Sequence, residues 1–416
     1  MSFDFSPQLV ELAGKAEELA ALRFQAIEQV STECTKKIMT AFAHHRVSDT
    51  YFRGTTGYGY DDQGRDKLEE IYAEVFGCES ALVRSGFVNG SHAIACGMFA
   101  CVQSGGVMLS ATGNVYDTLQ TVTGQKGKVG GSFADYGIGF EKIDMENGLP
   151  DYKAIEQRAA DSRIQAVFIQ RSRGYNQRHT LSIGEIGRIC DIVHKVNPRA
   201  NVIVDNCYGE FCDTLEPTNV GADLICGSLI KNPGGGLAPA GGYVAGKREL
   251  VEKAANRLTL PGIGGECGAS LGVNRAFYQG FFMAPHTVAQ ALKTAAFCSN
   301  LMGLLGYDVT PSPDRAGLDI IHTVNFGEEQ KLLAFCRGIQ EGSPVDAFVT
   351  PDPWDMPGYD DQVVMAAGTF VQGASIELSC DGPIRPPFTA FIQGGLTYES
   401  GKLGIMTAVQ SLLDEQ

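Results

Sequence analysis

Between Ala81 and Gly246, short apolar runs alternate with stretches of helical periodicity, and this alternation restricts the fold more than any other feature of the chain. The runs fall at Ala81–Val83, Val107–Leu109, Ala166–Ile169, Val202–Val204, Leu224–Cys226 and Tyr243–Ala245. Helices are expected between them, for example over Ser91–Val102 and Glu185–Val196. None of the runs alternates polar with apolar residues, so each strand needs cover on both faces. That implies an α/β fold with a mostly parallel sheet between helices. Ligands of such sheets sit beyond the carboxyl ends of the strands. Ser85, Ser110, Asp205 and Lys231 each follow an apolar run, so the pattern that sets the fold also gathers polar side chains at one edge.

The flanking segments read differently. Ser6-Pro7 is a helix start, a serine cap with proline at the first helical position. Leu9, Leu12, Ala13, Ala16, Leu19 and Ala20 then share a face of a helix running, with or without a break, towards Phe42. Tyr51–Gly64 is an aromatic, glycine-rich loop, either functional or packing its tyrosines on the core. A helix begins at Arg65, with Leu68, Ile71, Tyr72, Val75 and Phe76 on one face and Gly77 as its cap. After Lys247 the pattern is helical, with breaks expected at Pro261-Gly262 and Pro285 and a long helix over His286–Leu305. Strands at Ile320–Asn325, Val363–Ala366 and Ser375–Leu378, with helices at Glu328–Gln340 and Lys402–Leu413, suggest a smaller α+β domain. The expected division is a helical arm and loop over 1–60, a large α/β domain over 61–285, and a bridging helix with the small domain over 286–416.

A formal charge of −15 argues against nucleic acid and anionic membrane surfaces as partners, since both require basic patches. No apolar stretch reaches the ~20 residues that span a bilayer. The N-terminus lacks the basic and apolar regions of a secretory signal. The 12 cysteines are scattered without a CxxC pair, which fits a reducing, cytoplasmic setting better than disulfides. His44 and His45 are adjacent and the other histidines isolated, so no metal site is expected.

Chemistry concentrates around Ala222–Gly246. Lys231 comes after a strand and precedes Gly234-Gly235-Gly236, a segment whose backbone can approach a ligand closely. Lys231 is either an ordinary surface lysine or a desolvated amine able to form a Schiff base. Upstream, Asp205 ends a buried-strand pattern. A strand-end aspartate and a strand-loop lysine are the pair that a pyridoxal phosphate enzyme needs: the acid keeps the pyridine nitrogen protonated, the amine holds the aldehyde. Ser85-Gly86-Phe87 at the start of a helix, with Ser228 opposite, could cradle a phosphate. Tyr116 either stacks on a cofactor ring or packs between sheet and helix. Arg385, between prolines, is either a carboxylate clamp or a solvated loop arginine.

The stretches FRGTTGYGYDDQGRDKLEEIYAEVFG, VDNCYGEF, GSLIKNPGGGLAPAGGYVAGK, SIELSCDGPIRPPF and QGGLTYE resemble the aluminium-resistance or methionine-gamma-lyase-like family. That family belongs to the fold-type-I pyridoxal phosphate enzymes of cysteine and methionine metabolism. The resemblance implies a carbon–sulfur lyase that eliminates at the β or γ carbon of a sulfur-containing amino acid of the cystathionine, cysteine or methionine type. It implies Lys231 as the Schiff-base lysine, with Tyr116 as the ring-stacking and leaving-group tyrosine. Asp205 is the implied nitrogen partner, Ser85, Gly86, Phe87 and Ser228 the phosphate cradle, and Arg385 the substrate-carboxylate residue. The better-known gamma-lyases complete the phosphate site with a Tyr-x-Arg pair from a neighbouring subunit. Here Tyr58-Gly59-Tyr60 stands in that place without the arginine, which leaves Arg53 or Arg65 to substitute. A homodimer or homotetramer with shared sites is thereby implied. An aminotransferase working through the same α-carbanion, or a non-catalytic cofactor-binding stress protein, are the rival expectations.

Overall fold

The computed structural model describes residues 3–127, 129–176, 178–315, 317–356 and 361–415. Its chain forms two units, the first made of Thr35–Leu229 and Leu237–Phe282, the second of Met1–Cys34, Ile230–Gly236 and Met283–Gln416. Helix α1 (Pro7–His44) contributes its early turns to the second unit and its last to the first. It runs without a break because Leu9, Ala13, Ala16, Ala20, Ile27, Cys34, Ile38 and Ala41 are all buried at helical spacing. That stripe is narrow, and Leu19, expected on it, falls outside and is 61% exposed.

The first unit begins with α2 (Gln63–Phe76), whose Asp62 cap accepts from the Arg65 N–H at 3.0 Å and whose Gly77 ends it at φ 64°. The left-handed Gly77 is the position that favours a residue without Cβ. The chain continues through β1 (Ser80–Arg84), α3 (Gly90–Cys101), β2 (Val107–Ser110), α4 (Asp117–Val122), β3 (Gly139–Lys142) and α5 (Tyr152–Ala159). Then come β4 (Ile164–Gln170), α6 (Ile183–Val196), β5 (Asn201–Asp205), β6 (Leu224–Ser228), β7 (Gly242–Gly246) and α7 (Arg248–Leu258). The seven strands lie in the order β1-β7-β6-β5-β4-β2-β3. Strands β2 to β6 pair in parallel, and β7 runs antiparallel to both β6 and β1. The mostly parallel, doubly covered sheet is therefore as the apolar runs imply. Leu82, Met98, Met108, Phe168, Ile203, Leu224 and Val244 sit in its core, each contributing about 1.5–3 kcal/mol by burial. Helix α3 crosses from β1 to pack over β5, β6 and β7.

The second unit holds most of α8 (Asn274–Leu304) and a five-stranded sheet. Its strands are β8 (Asp308–Thr310), β9 (Ile321–Asn325), β10 (Val363–Ala366), β11 (Ser379–Pro383) and β12 (Thr389–Gln393), in the order β10-β11-β12-β9-β8 and antiparallel throughout. Helices α9 (Glu329–Glu341) and α10 (Tyr398–Asp414) pack on each other, and α9 lies on the sheet. Two expectations are corrected here. Helix α8 carries straight through Pro285, because Phe281, Ala284, Val288 and Ala289 around it are buried and packing outweighs one lost ladder bond. Ser375–Leu378 forms a turn, not a strand. The buried Glu377 folds back there to accept from the N–H groups of Phe370 and Val371 at 2.9 and 3.0 Å. The architecture is α/β with a smaller antiparallel α+β portion. Among the described residues no helix is long and apolar enough to cross a membrane.

Candidate active site

Parallel pairing brings the ends of β1, β2, β4, β5 and β6 to one edge of the seven-stranded sheet. Gln170 lies opposite Asp205, Asp205 opposite Cys226, and Ser228 opposite Gly242. Strand β1 runs out into Ser85-Gly86-Phe87. Phe87 is fully buried, whereas a Cβ placed on Gly86 would meet nothing within 4 Å. Asn89 caps α3 by accepting from the His92 N–H at 2.9 Å. The first residue of α3, Gly90, rests directly on Ser228: a Cβ there would come within 2.8 Å of the Ser228 Cβ. The Ser228 hydroxyl is buried and has no hydrogen-bond partner among the described residues. A buried hydroxyl without a partner costs free energy unless a ligand meets it. Here it faces a helix start, whose first N–H groups have no partners within the helix and whose dipole favours an anion. These residues fit a phosphate. Ser85 and Gly86 also border a cavity of about 280 Å³ lined by Arg65, Leu258, Ser270 and Phe277.

Asp205, 7% exposed, ends β5 with its Oδ1 accepting from the Cys207 N–H at 3.1 Å. Tyr116 is half-buried at the start of α4. Its ring lies 3.5 Å from where a Gly174 Cβ would stand and 6.5 Å from the Tyr175 ring. Tyr58 and Tyr60 are 76% and 52% exposed and stack on each other at 5.8 Å. Between them Gly59 has φ 61°, and a Cβ there would strike the Ala269 backbone at 2.5 Å. Arg65 is buried and its guanidinium is divided among the carbonyls of Gly59 at 2.6 Å and Gly268 at 2.9 Å and Asp66 Oδ1 at 2.7 Å. Arg53 is exposed.

In the second unit, Lys231 lies three residues beyond β6, half-buried at φ −105° and ψ −144°, just before the turn Asn232–Gly234. That segment is anchored where Thr287 Oγ1 donates to the Gly235 carbonyl at 3.3 Å. Arg385 lies between β11 and β12, half-exposed, and donates to Asp361 Oδ2 at 2.8 Å. A substrate carboxylate would have to exchange with Asp361 there.

One group of residues was not anticipated. Arg171, just beyond β4, is 1% exposed and donates from Nη1 to Asn206 Oδ1 at 2.8 Å. Asn206 Nδ2 donates to Glu216 Oε2 at 2.9 Å, and Glu216 Oε2 stands 3.7 Å from Arg171 Nη1. Glu216 Oε1 accepts from the Phe211 N–H at 2.9 Å, and the Tyr243 hydroxyl donates to Glu210 at 2.8 Å. Tyr208 and Phe211 hold φ of 72° and 60°, a left-handed conformation that costs about 1–3 kcal/mol for each such residue. The sequence signal was the cluster Arg171, Arg173 and Arg178 after an apolar strand, where solvated loops would not be expected to bury arginine.

Burial pushes the Glu210 carboxyl up to about 8 from its ordinary 4.5, outweighing the bond from Tyr243. The folded chain then holds a proton that the unfolded chain gives up, so this group's contribution to stability declines from about pH 4.5 to about pH 8 and levels off above. Urea denaturation of wild type and Glu210→Gln across that window should show the variant losing less stability as pH rises. Parallel curves would contradict the assignment.

A sheet in this strand order, with a phosphate-compatible helix start at its edge, defines a fold-type-I α/β protein. Residues 9–413 match the methionine gamma-lyase family, and the chain belongs to it. The uncharacterized protein YnbB of Bacillus subtilis (strain 168) is 49% identical over 392 residues, 94% of this chain and 93% of that protein. The solved structure of a carbon-sulfur lyase involved in aluminum resistance from Clostridium novyi NT superposes with a TM-score of 0.95 at 46% identity, covering 98% of this chain and 96% of that one. The pyridoxal-5'-phosphate dependent protein YhfS from Escherichia coli shares the fold at 15% identity with a TM-score of 0.62, covering 92% of this chain and 96% of that one.

Proposed function

We propose that this protein is a pyridoxal phosphate-dependent carbon–sulfur lyase that eliminates a thiol from the β or γ carbon of a sulfur-containing amino acid. The observation that carries the reading is the buried, unpartnered Ser228 hydroxyl against the start of α3, on the same sheet edge as Asp205. Ser228, Ser85 and the N–H groups opening α3 would hold the phosphate. Asp205 would take the ring nitrogen, Tyr116 the ring face and Lys231 the aldehyde. When bound, the cofactor supplies an electron sink for negative charge at the substrate α-carbon.

The chain's own groups handle the protons. Asp205, poorly hydrated, keeps a cationic partner protonated. Lys231 Nζ, as a free amine, would remove the α-proton. The Tyr116 hydroxyl would protonate the departing sulfur, and Arg385, once released from Asp361, would bind the substrate carboxylate. Tyr58 and Tyr60 are exposed aromatic residues suited to a neighbouring subunit's phosphate in a homodimer or homotetramer.

The test is separate incubation of the purified, cofactor-loaded protein with cysteine, cystathionine and methionine, monitoring thiol, keto acid and ammonia. Release of all three products from at least one substrate is expected. Accumulation of the aminated cofactor without thiol would point instead to transamination and reject the lyase reading.

A further inference from the structure

Asp205 is the last residue of β5, and the turn beyond it is strained. Tyr208 and Phe211 both adopt positive φ within this turn, which includes Gly209. Strained backbone persists only where its surroundings over-determine it. Here the surroundings are the buried side chains of Arg171, Asn206 and Glu216. Arg171 holds both ends of the problem: its N–H donates to the Asp205 carbonyl at 3.1 Å and its guanidinium to Asn206 Oδ1 at 2.8 Å. Asn206 passes the constraint on, donating from its own N–H to the Cys226 carbonyl at 3.0 Å and from Nδ2 to Glu216 at 2.9 Å. Glu216 closes the circuit on the Phe211 N–H. The guanidinium lies over Gly209 so closely that a Cβ there would meet Arg171 Cδ, Nε and Cζ at 2.5 Å.

We propose that Arg171 and Asn206 are positioning residues for the Asp205 carboxylate, clamping the strained turn behind it so that its Oδ1 stays on the Cys207 N–H and the carboxylate keeps one orientation. The role rests on the cofactor-binding reading above. Neither residue need touch cofactor or substrate. A planar fork satisfies this arrangement and an ammonium does not, because the guanidinium must stack on Gly209 while it donates to Asn206.

The test compares Arg171→Met, Arg171→Lys, Asn206→Ala and Gly209→Ala with wild type. In cofactor-free protein, exchange of the Cys207 amide should speed roughly tenfold in the Met and Ala variants, since its bond to Asp205 opens more often. Cofactor dissociation constants should rise roughly tenfold to a hundredfold. The visible circular-dichroism band of the bound cofactor should change, and kcat should fall more than KM rises. Arg171→Lys should recover only part of each effect. Gly209→Ala displaces the guanidinium without removing its charge, so it should give the same signature if Arg171→Met does not fold. Folded variants with wild-type amide exchange, affinity and band shape would overturn the positioning role. Wild-type protein that takes up no cofactor would instead sink the cofactor reading, while the Cys207 exchange still reports on the clamp.

Discussion

Lys231→Ala protein should lack the visible band of a lysine–aldehyde adduct, yield no borohydride-fixed adduct after addition of pyridoxal phosphate, and release thiol at a rate down by roughly 10⁴-fold or more. The expectation comes from the two tasks proposed for one amine: to hold the aldehyde, then to carry the α-proton. No neighbouring residue of the segment Asn232-Pro233-Gly234 has an amine to replace it. The fold should survive the change. Lys231 lies outside α-helix and sheet, at backbone angles that alanine adopts, and the anchor from Thr287 to the Gly235 carbonyl does not involve its side chain. Lys231→Arg should be equally inactive, because arginine retains a charge but does not deprotonate in this range. An unchanged thermal transition in both variants, beside lost colour and turnover, separates chemistry from folding. Retained turnover in the alanine variant would exclude Lys231 as the reacting amine.

The readable parts of this sequence were those in which one local signal decides the outcome. Strands β2, β4, β5 and β6 are buried on both faces, so their apolar runs stand out. Helix α2 carries its own stop in Gly77. The positions of Asp205 and Ser228 at the sheet edge were legible because a polar residue ending such a run is placed by connectivity alone, and membership of the methionine gamma-lyase family agrees with the motifs that suggested it. The parts that escaped depend on distant partners. Strand β3, Gly139–Lys142, is a half-exposed edge whose sequence has no apolar run, and it forms because β2 offers a free ladder. The turn at Ser375–Leu378 looked extended, yet Glu377 has loop N–H groups to satisfy. The clamp around Arg171 needs the β4–β5 register before Asn206 comes beside it. Charged residues in a sequence are read as surface until a partner is known, and here the partners lie on different elements.

Glu69→Ala should destabilise the protein by about 3–5 kcal/mol, the usual effect of removing one partner from a buried ion pair. Glu69, on α2, grips Arg84 at the end of β1, with Oε1 2.5 Å from Nε and Oε2 3.1 Å from Nη2. Its Oε1 also accepts from the Val83 N–H at 2.9 Å. Arg84 is 5% exposed and spends two further N–H groups on the carbonyls of Gly265 and Cys267, each at 2.8 Å. Burial raises the Glu69 carboxyl against the opposing pull of Arg84, so the intact pair adds little net stability while a lone buried guanidinium costs much. Glu69→Ala combined with Arg84→Met should therefore be less destabilised than Glu69→Ala alone, because the double change removes both charges. Arg84 leads directly into Ser85-Gly86, and the Cys267 carbonyl it holds belongs to the loop lining the same cavity. Cofactor affinity of Glu69→Ala should accordingly fall even at temperatures where it remains folded. Chemical denaturation of the two single variants and the double variant measures the coupling. Additive losses would mean that the two charges are not coupled, and an unchanged cofactor affinity in folded Glu69→Ala would mean that the pair does not position Ser85-Gly86.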